Sequence, residues 1–483
     1  MLIWLVLIPL IAAALIGLCK APARPTALLS ASLTLALGIW ALVSFDGCSS
    51  CWSRFEGMDL QLTLAPALSK VMLLLTILVT FATVLGTNPP QGGEASWYNS
   101  ALLISAGATG AFLSDNIISF FAFHELALIP TFVMIGLYGR GDRRTTAWRA
   151  TLYLGLASMV LLAALLMIGT QAGFTFSGLK DFMASGRELA HAELIGALLI
   201  AGFGTLISLF PFHSWAAPAY ASAPAPVAMM HAGVLKKFGL YGLFMFQPLM
   251  ETGFLPWTNI LLVLLVCNVI WVGYVTVNQK RLDLLLGNSS VMHMGYIFLA
   301  FAALVVSGSA EANPWALKGA ALLMLAHGLT IALLFLLCGQ IEKQTGTLEI
   351  NSLGGLSTRL PRMAFVFGLA GMASIGLPGL ANFPGEFMVF FSGFAGFSNG
   401  FGPVQIATIL CLWGLVIGAV YMLRAYRNIF QGDLSKASAY ATGLQPSERA
   451  ANCFLVIALA VFGFFPTLVV QFFSRFPPFR IQS

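Results

Sequence analysis

The run PWALKGAALLMLAHGLTIALLFLLC, residues 314–338, decides the fold class of this chain. It carries one charged side chain, Lys318, close to its start, and one imidazole, His327, close to its middle. About 20 apolar residues in an α-helix span the hydrocarbon layer of a bilayer, because each residue adds about 1.5 Å. The run is continuous rather than alternating, which excludes a β-barrel strand. It therefore predicts a membrane-spanning helix.

The same pattern recurs along the whole chain. Only 9% of the 483 residues are charged and 59% are hydrophobic. About a quarter of the residues are charged in ordinary soluble domains, so the apolar exterior must face lipid. We predict an all-α polytopic membrane protein of about 14 transmembrane helices, over residues 2–18, 26–45, 66–88, 99–114, 116–137, 149–170, 193–213, 227–250, 259–279, 283–306, 314–338, 362–400 (interrupted), 403–428 and 450–473.

The basic residues indicate how the chain is oriented. The net charge is +6, but Lys and Arg fall in loops rather than in a stripe, which excludes a nucleic-acid binder. The first basic residue, Lys20, follows the first apolar run, which is the wrong order for a cleaved signal peptide. With the N-terminus outside, 15 basic residues lie in inner loops and seven on the outer side, Lys70 among the seven. The positive-inside rule therefore predicts both termini on the outer, periplasmic face of the inner membrane.

Cys48 and Cys51 form a C-x-x-C in the loop FDGCSSCWSRF. Two free thiols and a disulfide are both open interpretations, and the predicted outer location of this loop makes the disulfide plausible. No second C-x-x-C is present that would complete a zinc site, and no metal site is expected.

Two proline-rich stretches interrupt the helical pattern at membrane depth. They are SLFPFHSWAAPAYASAPAPVAMM, residues 208–230, and SIGLPGLANFPGEFMVFF, residues 374–391. Irregular backbone at this depth is tolerated only where it is buried in protein or lines a wet cavity. Two interrupted segments in corresponding halves are typical of inverted-repeat transporters. Prolines in ordinary interhelical loops are the alternative, a serious one for the first stretch and a weaker one for the second, which apolar sequence flanks closely on both sides.

Glu125 lies in the middle of a predicted span, in SFFAFHELALIPTF. A carboxylate in hydrocarbon is costly and is a functional candidate by default, with a neutral structural glutamate as the alternative. His124 is rotated by about 100° around the helix, so it need not share the site of Glu125.

Lys236 and Lys237 lie inside the span HAGVLKKFGLYGLF, with His231 nearly two turns earlier. The two lysines cannot face one direction, so one could reach the interface or a neighbouring helix while the other faces the bundle interior. A buried lysine releases its proton readily, which suits a reversible proton carrier. His231 could extend the path.

Three more ionisable residues belong to the same predicted row, His293, His327 and Glu386. Imidazole passes protons near neutral pH, although a lone histidine is often a satisfied core residue. Glu386 follows the Pro384–Gly385 pair, which predicts a place in the first turn of a half-helix, where the dipole favours an anion. A row of ionisable groups at membrane depth is what proton transfer requires, and no nucleotide loop or redox-cofactor motif accompanies it.

Several motifs carry a family resemblance, which covers about residues 100–430. They are FHELALIP (123–130), PFHSW (211–215), SAPAPVAMMHAGVLKKFGLYGL (222–243), NSSVMHMG (288–295), LMLAHGLTIALLFLLCGQ (323–340) and GLPGLANFPGEFMVFFSGF (376–394). The chain resembles the antiporter-like M subunits (chain 4) of respiratory complex I, NADH:quinone oxidoreductase.

The resemblance implies two inverted five-helix repeats, each with a broken helix. Residues 1–98 would hold helices 1–3, 99–250 the first repeat, 251–430 the second, and 431–483 helix 14. The chain would translocate protons through Glu125, Lys237, His327 and Glu386 without a cofactor of its own. NADH, FMN, iron–sulfur clusters and quinone would belong to partner subunits of the enzyme, and paralogous antiporter-like subunits would flank this one.

The chain departs from that family at three places: a paired lysine is missing, the acidic residue after PFHSW is replaced near Pro218, and the basic pair before NSSVMHMG is shifted to Lys280–Arg281. The lysine that pairs with the fifth-span glutamate in the family aligns with Leu206. Either His124 or Lys236 substitutes for it, or the chain is a divergent or structural paralogue. The remaining alternatives are a subunit of a multisubunit cation/proton antiporter, of a hydrogenase or of a carbon-uptake complex, and a non-pumping scaffold subunit.

Overall fold

The computed structural model describes residues 1–44, 49–55, 58–395 and 400–474. Within these ranges the protein is a helical bundle with one antiparallel hairpin, β1 (Ser49–Phe55) and β2 (Met58–Thr63). The helices are α1 (Leu2–Gly17), α2 (Ala23–Ser44), α3 (Ala67–Gly86), α4 (Glu94–Leu113), α5 (Ile117–Tyr138), α6 (Arg143–Ala172), α7 (Phe176–Ala184), α8 (Ala192–Ile207), α9 (Ala216–Ser222), α10 (Ala225–Met230), α11 (Lys237–Met245), α12 (Thr258–Val277), α13 (Leu282–Ser307), α14 (Pro314–Thr345), α15 (Leu356–Arg359), α16 (Pro361–Ile375), α17 (Asn382–Gly393), α18 (Pro403–Phe430), α19 (Pro446–Phe464) and α20 (Thr467–Ser474).

The bundle has the character of a multi-span membrane protein. In the part of the chain that the structure describes, nine helical segments are long and apolar enough to cross a bilayer. Three shorter apolar helices, α1, α8 and α16, add to them. The all-α polytopic prediction is confirmed, whereas the number of about 14 crossings stays a prediction.

Helices α13 and α14 form the centre of the bundle. In the most apolar 18-residue stretch of α14 all residues are buried, and in that of α13 94% of the residues are buried, against 39% in that of α18. Helix α14 packs against α3, α10, α13, α16, α17 and α19. Outer helices such as α6 and α18 instead expose large apolar side chains, for example Leu156 and Trp413, as expected of a surface in contact with lipid or another membrane subunit.

The first broken helix is formed by α8 and α9, which residues 208–215 separate. Asn268 of α12 hydrogen-bonds two backbone groups of this break and one of α13. The Phe210 amide donates to Asn268 Oδ1 (2.6 Å), and Asn268 Nδ2 donates to the carbonyl oxygens of Ser208 (3.2 Å) and Val291 (3.3 Å). Backbone groups at membrane depth need such internal partners, so Asn268 makes the break tolerable.

The second broken helix consists of α16 and α17, and its break spans residues 376–381. The predicted interruption within residues 374–391 agrees with this break at Pro378 and Gly379, but its extension to Pro384–Gly385 is wrong, because α17 already begins at Asn382. Pro384 lies in the first helical turn, where the missing amide of proline leaves no hydrogen bond unmade. Glu386 therefore lies in the second turn of α17 rather than the first.

Four charged residues tie down the C-terminal end of α14. Arg140, in the loop between α5 and α6, donates from Nε to Glu342 Oε2 at 2.7 Å. Lys343, the next residue along α14, donates from Nζ to Glu448 Oε1 of α19 at 2.8 Å. Asn88, just after α3, donates to the same Glu448 oxygen at 2.8 Å. This end of α14 is therefore held from two sides of the bundle.

Two expectations about the early part of the chain have different outcomes. Lys70 was counted among the basic residues of the outer side, at the start of the predicted span 66–88, but the structure buries it fully in the first turn of α3. The predicted and observed helix starts agree, and the difference is that the side chain of Lys70 turns into the bundle instead of reaching the membrane surface. The pair Cys48–Cys51 lies outside the described residues, because Cys48 is not among them. The hairpin β1–β2 was not predicted.

Candidate functional site

The centre of the site is a contact between Lys237 and His327. Lys237 Nζ lies 3.0 Å from His327 Nδ1 and donates to the Ala232 carbonyl oxygen at 2.5 Å. The lysine is 0% exposed and the histidine 3%. A lysine and an imidazole at this distance, shielded from solvent, can share and exchange a proton.

Local backbone geometry makes this contact possible. Residues 231–235 form a π-helical turn immediately before α11, a local widening that is frequent at functional sites. The turn passes so close to α14 that a Cβ on Gly328 would lie 2.7 Å from the Gly233 carbonyl oxygen. Glycine at residue 328 therefore lets α14 bring His327, the preceding residue, beside Lys237.

Lys236 and His231 form a second group beside this centre. Lys236 Nζ lies 3.4 Å from Ser290 Oγ of α13 and 5.4 Å from the centre of the Tyr220 ring. His231 Nδ1 lies 3.3 Å from the hydroxyl of the same tyrosine. Lys236 is only 1% exposed, so of the two predicted alternatives the structure shows contact with a neighbouring helix, α13, and not with the membrane interface. The two lysines point to different partners, as predicted.

His293 extends the central contact towards the second broken helix. Its ring centre lies 5.3 Å from that of His327. Its Nδ1 lies 2.8 Å from the Ser289 carbonyl oxygen, and its Nε2 lies 2.9 Å from the Ser374 carbonyl oxygen in the last turn of α16. His293 therefore connects the centre of the bundle with the end of a broken helix.

Glu386 lies at the same broken helix. Its carboxyl group packs against Gly376, the first residue of the break, where a side chain of any size would overlap Glu386 Oε2. Gly376 has φ of +79°, a left-handed conformation that also favours glycine. Glu386 is 3% exposed. The predicted row thus continues from His293 to Glu386 around residues 374–376.

Glu125 lies apart from this row. Its Oε1 accepts a hydrogen bond from Ser158 Oγ of α6 at 2.6 Å and lies 3.3 Å from His124 Nδ1. The Glu125 side chain is 36% exposed, whereas that of His124 is 3% exposed. The two neighbours do share a site, because the flexible glutamate side chain bends towards the imidazole despite the 100° offset of their Cα atoms.

Aromatic rings separate Glu125 from the central lysine. The ring of Phe238 stacks on His124 with a centroid distance of 3.8 Å and an interplanar angle of 17°. On its other side it stacks on Phe120 at 4.2 Å. Because Phe238 directly follows Lys237, His124 is linked to the lysine through packing rather than through a hydrogen bond.

The sequence interpretation missed the hydroxyl groups of the site. Ser158 contacts Glu125, Ser290 contacts Lys236, and Tyr220 contacts both His231 and Lys236. All three lie in apolar segments, where a polar side chain usually has a partner. That signal was available in the sequence. Among the described residues, no group of three or more His, Cys, Asp or Glu side chains could hold a metal ion.

A family model and several curated proteins match the chain. The model described as NADH:quinone oxidoreductase/Mrp antiporter, TM matches residues 114–402. NAD(P)H-quinone oxidoreductase chain 4 2 of Microcystis aeruginosa is 33% identical over 398 residues, covering 80% of this chain and 69% of the relative. NAD(P)H-quinone oxidoreductase chain 4 1 of Synechococcus elongatus is also 33% identical, covering 88% of this chain and 78% of the relative.

Solved structures share the fold along almost the whole chain. A chain of respiratory complex I from Thermus thermophilus with bound NADH matches with a TM-score of 0.87 and 25% identity, covering 98% of both chains. A chain of the Mrp complex from Dietzia has a TM-score of 0.83 and 19% identity over 98% of this chain and 95% of its own, and shows the fold alone. The chain therefore belongs to the family of antiporter-like membrane subunits that NADH:quinone oxidoreductases and Mrp antiporters share.

Proposed function

We propose that this chain is the proton-translocating, M-type membrane subunit of a complex I-type NADH:quinone oxidoreductase. The curated relatives named as chain 4 of that enzyme support the assignment to the enzyme. The observation that carries proton translocation is the buried contact between Lys237 and His327, which His293 extends. The chain would lie in the cytoplasmic (inner) membrane, with both termini on the outer face.

The central residues would move a proton by sharing and releasing it. Lys237 Nζ and His327 Nδ1 are within hydrogen-bonding distance, so one proton can pass between them without a change in helix packing. His293 receives it from His327 after a small rearrangement or through a water molecule, since the two ring centres are 5.3 Å apart. Glu386 would then exchange the proton with the outer side.

Glu125 would act as the gate, and His124 would be its cationic partner. In other members of the family a lysine has that part, at the position that Leu206 occupies here. The contact of 3.3 Å between His124 Nδ1 and Glu125 Oε1 supports this role. Leu206, at the place of that lysine, is buried and offers no charge. Protonation of His124 would strengthen its attraction to the carboxylate and disturb its stack on Phe238. Because Phe238 is the residue after Lys237, that disturbance would reach the central contact.

Lys236 and His231 would form a side branch of the pathway at Tyr220. Both residues contact this tyrosine, and Lys236 also reaches Ser290 of α13. The division into repeats at 99–250 and 251–430 places Lys236 and Lys237 in the first repeat and His293, His327 and Glu386 in the second. Proton transfer would therefore cross from one repeat to the other at the Lys237–His327 contact.

This chain would hold no cofactor of its own. Redox energy would come from partner subunits that carry NADH, FMN, iron–sulfur clusters and quinone. Paralogous membrane subunits would pack on its flanks. The half-exposed carboxylate of Glu125 supports such a flank, since a partly exposed carboxylate facing lipid is costly. Helix α6, which holds Ser158, also exposes Trp148, Leu152 and Leu156.

Isolation of the chain from native membranes in mild detergent tests the proposal. Copurification with flavin- and iron–sulfur-containing subunits, and NADH-driven acidification of reconstituted vesicles, are the expected results. Copurification with small membrane subunits and without a redox partner would instead identify a cation/proton antiporter. In that case sodium-dependent proton exchange in vesicles would replace NADH-driven acidification.

A further inference from the structure

A groove on the outside of the bundle combines positive charge with aromatic rings. It has a volume of about 690 Å³ and runs along the first turns of α6. Its wall is formed by Arg144, Thr145, Trp148, Arg149, Leu152 and Tyr153. Two of these side chains are cationic and none is acidic, so the groove is complementary to an anion.

The two arginines of the groove keep most of their hydrogen-bond donors available. No described residue forms a hydrogen bond or an ion pair with the Arg144 side chain. Arg149 donates from Nη2 to Ser214 Oγ at 3.1 Å, and Ser214 donates to the Tyr153 hydroxyl at 3.1 Å. A guanidinium carries five N–H donors in a planar fork that matches a phosphate group. The groove therefore offers a fixed arginine and an unpaired one to such a group.

The neighbouring charges do not neutralise the groove. Asp142 lies outside its wall and caps α6, where its Oδ1 accepts from the Thr145 amide at 3.3 Å. Glu342 pairs with Arg140. Arg143 donates to the Leu137 carbonyl oxygen at 2.6 Å and thereby caps α5. Within the described ranges, the positive charge of the groove is therefore left without a counterion.

The length of α6 places the groove at the edge of the membrane. The helix has 30 residues and is about 45 Å long, whereas the hydrocarbon layer is about 30 Å thick. Residues 150–172 contain no charged side chain, so this part forms the crossing. Arg144, Trp148 and Arg149 precede it and lie in the layer of lipid headgroups, where tryptophan is enriched in membrane proteins.

An apolar track leads from the groove into the hydrocarbon layer. Leu152, Leu156 and Met159 are 60%, 68% and 57% exposed and follow one face of α6, because they are four and three residues apart. Leu152 belongs to both the groove and the track. A ligand with an anionic group at the arginines and an apolar chain along this face matches both features. An acidic protein segment or a free phosphate ion matches the charge alone.

We propose that this groove binds an anionic phospholipid. The phosphate group contacts Arg144 and Arg149, the rings of Trp148 and Tyr153 lie beside the glycerol region, and an acyl chain follows the track that begins at Leu152. The proposal does not rest on the proposed function, because it uses none of the residues of the proton pathway. It is compatible with a neighbouring subunit on the same flank, since a lipid fills the space between two membrane proteins.

Lipid retention by the full chain in its native complex tests the proposal. The complex is reconstituted into vesicles of phosphatidylcholine and phosphatidylglycerol and extracted in mild detergent, and native mass spectrometry counts the phospholipids that stay bound. We expect the wild-type complex to retain phosphatidylglycerol in preference to phosphatidylcholine. Arg144→Gln combined with Arg149→Gln should weaken this binding about thirtyfold, since each basic residue contributes about fivefold. Arg144→Lys combined with Arg149→Lys keeps the charge and should retain most of the phosphatidylglycerol.

The matched control is Arg359→Gln combined with Arg362→Gln, which removes two exposed arginines outside the groove and should leave retention at the wild-type value. Equal retention in the groove variant and the control, or equal retention of both lipids by the wild-type complex, would overturn the proposal. A map of the complex in the same lipids that shows an acidic side chain of another subunit in the groove would also overturn it. So would displacement of the retained lipid by millimolar inorganic phosphate, because the groove would then be a site for the free anion.

Discussion

Lys237 Nζ and His327 Nδ1 lie 3.0 Å apart, although 90 positions separate the two residues in sequence. At this distance two positive charges would repel each other by about 5 kcal/mol at an effective dielectric constant of about 20. The pair therefore holds one proton more readily than two. A proton that arrives at one member is expelled from the other, which gives the contact the behaviour of a relay.

Lys237→Met is expected to abolish proton translocation, because methionine fills the volume of the lysine stem but carries no proton. We expect at least about a tenfold loss of rate, which corresponds to about 1.4 kcal/mol. The measurement is NADH-driven acidification of vesicles that contain the reconstituted complex. Lys436→Met removes an exposed lysine and is the control. Equal rates in the two variants would contradict a relay at Lys237.

Gly328→Ala tests the close approach of α14 to the π-helical turn. The added methyl group would lie 2.7 Å from the Gly233 carbonyl oxygen, so α14 must move away and the Lys237–His327 contact lengthens. We expect slower proton translocation and a lower midpoint of thermal unfolding. Gly155→Ala in α6 adds the same group where nothing lies within 4 Å, and both quantities should stay at wild-type values.

His124→Phe tests the proposed gate. Phenylalanine keeps the stack on Phe238 but removes the nitrogen beside Glu125, so proton translocation is expected to fall while the complex stays assembled. Adding Leu206→Lys restores the lysine that the family resemblance predicts and should recover part of the rate. If His124→Phe alone retains the full rate, His124 has a packing role only.

Asn268→Ala is expected to destabilise the first broken helix. The substitution removes three hydrogen bonds to backbone groups, and one bond in a membrane bundle contributes about 0.6 kcal/mol on average, up to about 1.7. A decrease of about 2–3 kcal/mol in the free energy of unfolding follows. Asn278→Ala, which removes a single bond at an exposed side chain, should change the unfolding midpoint little. A comparable decrease in both variants would argue against a special role of Asn268.

Much of the architecture could be predicted from the sequence, because membrane thickness and the cost of bare backbone leave few alternatives. The apolar runs became helices, and the proline-rich stretches coincide with two interruptions. The details at Pro384 were wrong for a local reason. Proline is compatible with the first turn of a helix, so a proline alone does not mark where a break ends.

The ionisable residues of the site could also be named in advance, because each is costly in hydrocarbon. Their partners could not. The Lys237–His327 contact depends on how two helices far apart in sequence pack. The glycines that permit this packing have no ionisable side chain that would mark them in the sequence. The joint site of His124 and Glu125 was missed because a helical wheel places Cα atoms, whereas side-chain torsions decide where a carboxylate points.

The four charges at the C-terminal end of α14 have an electrical consequence. Arg140 and Lys343 are matched one to one by Glu342 and Glu448, so the cluster has no net charge. The transmembrane voltage exerts no net force on a neutral cluster. It acts instead on any proton held deeper in the bundle, where carrying one elementary charge across the full membrane is worth about 2.3 kcal/mol per 100 mV. Voltage can therefore oppose or assist the relay at Lys237 while the anchored end of α14 stays in place.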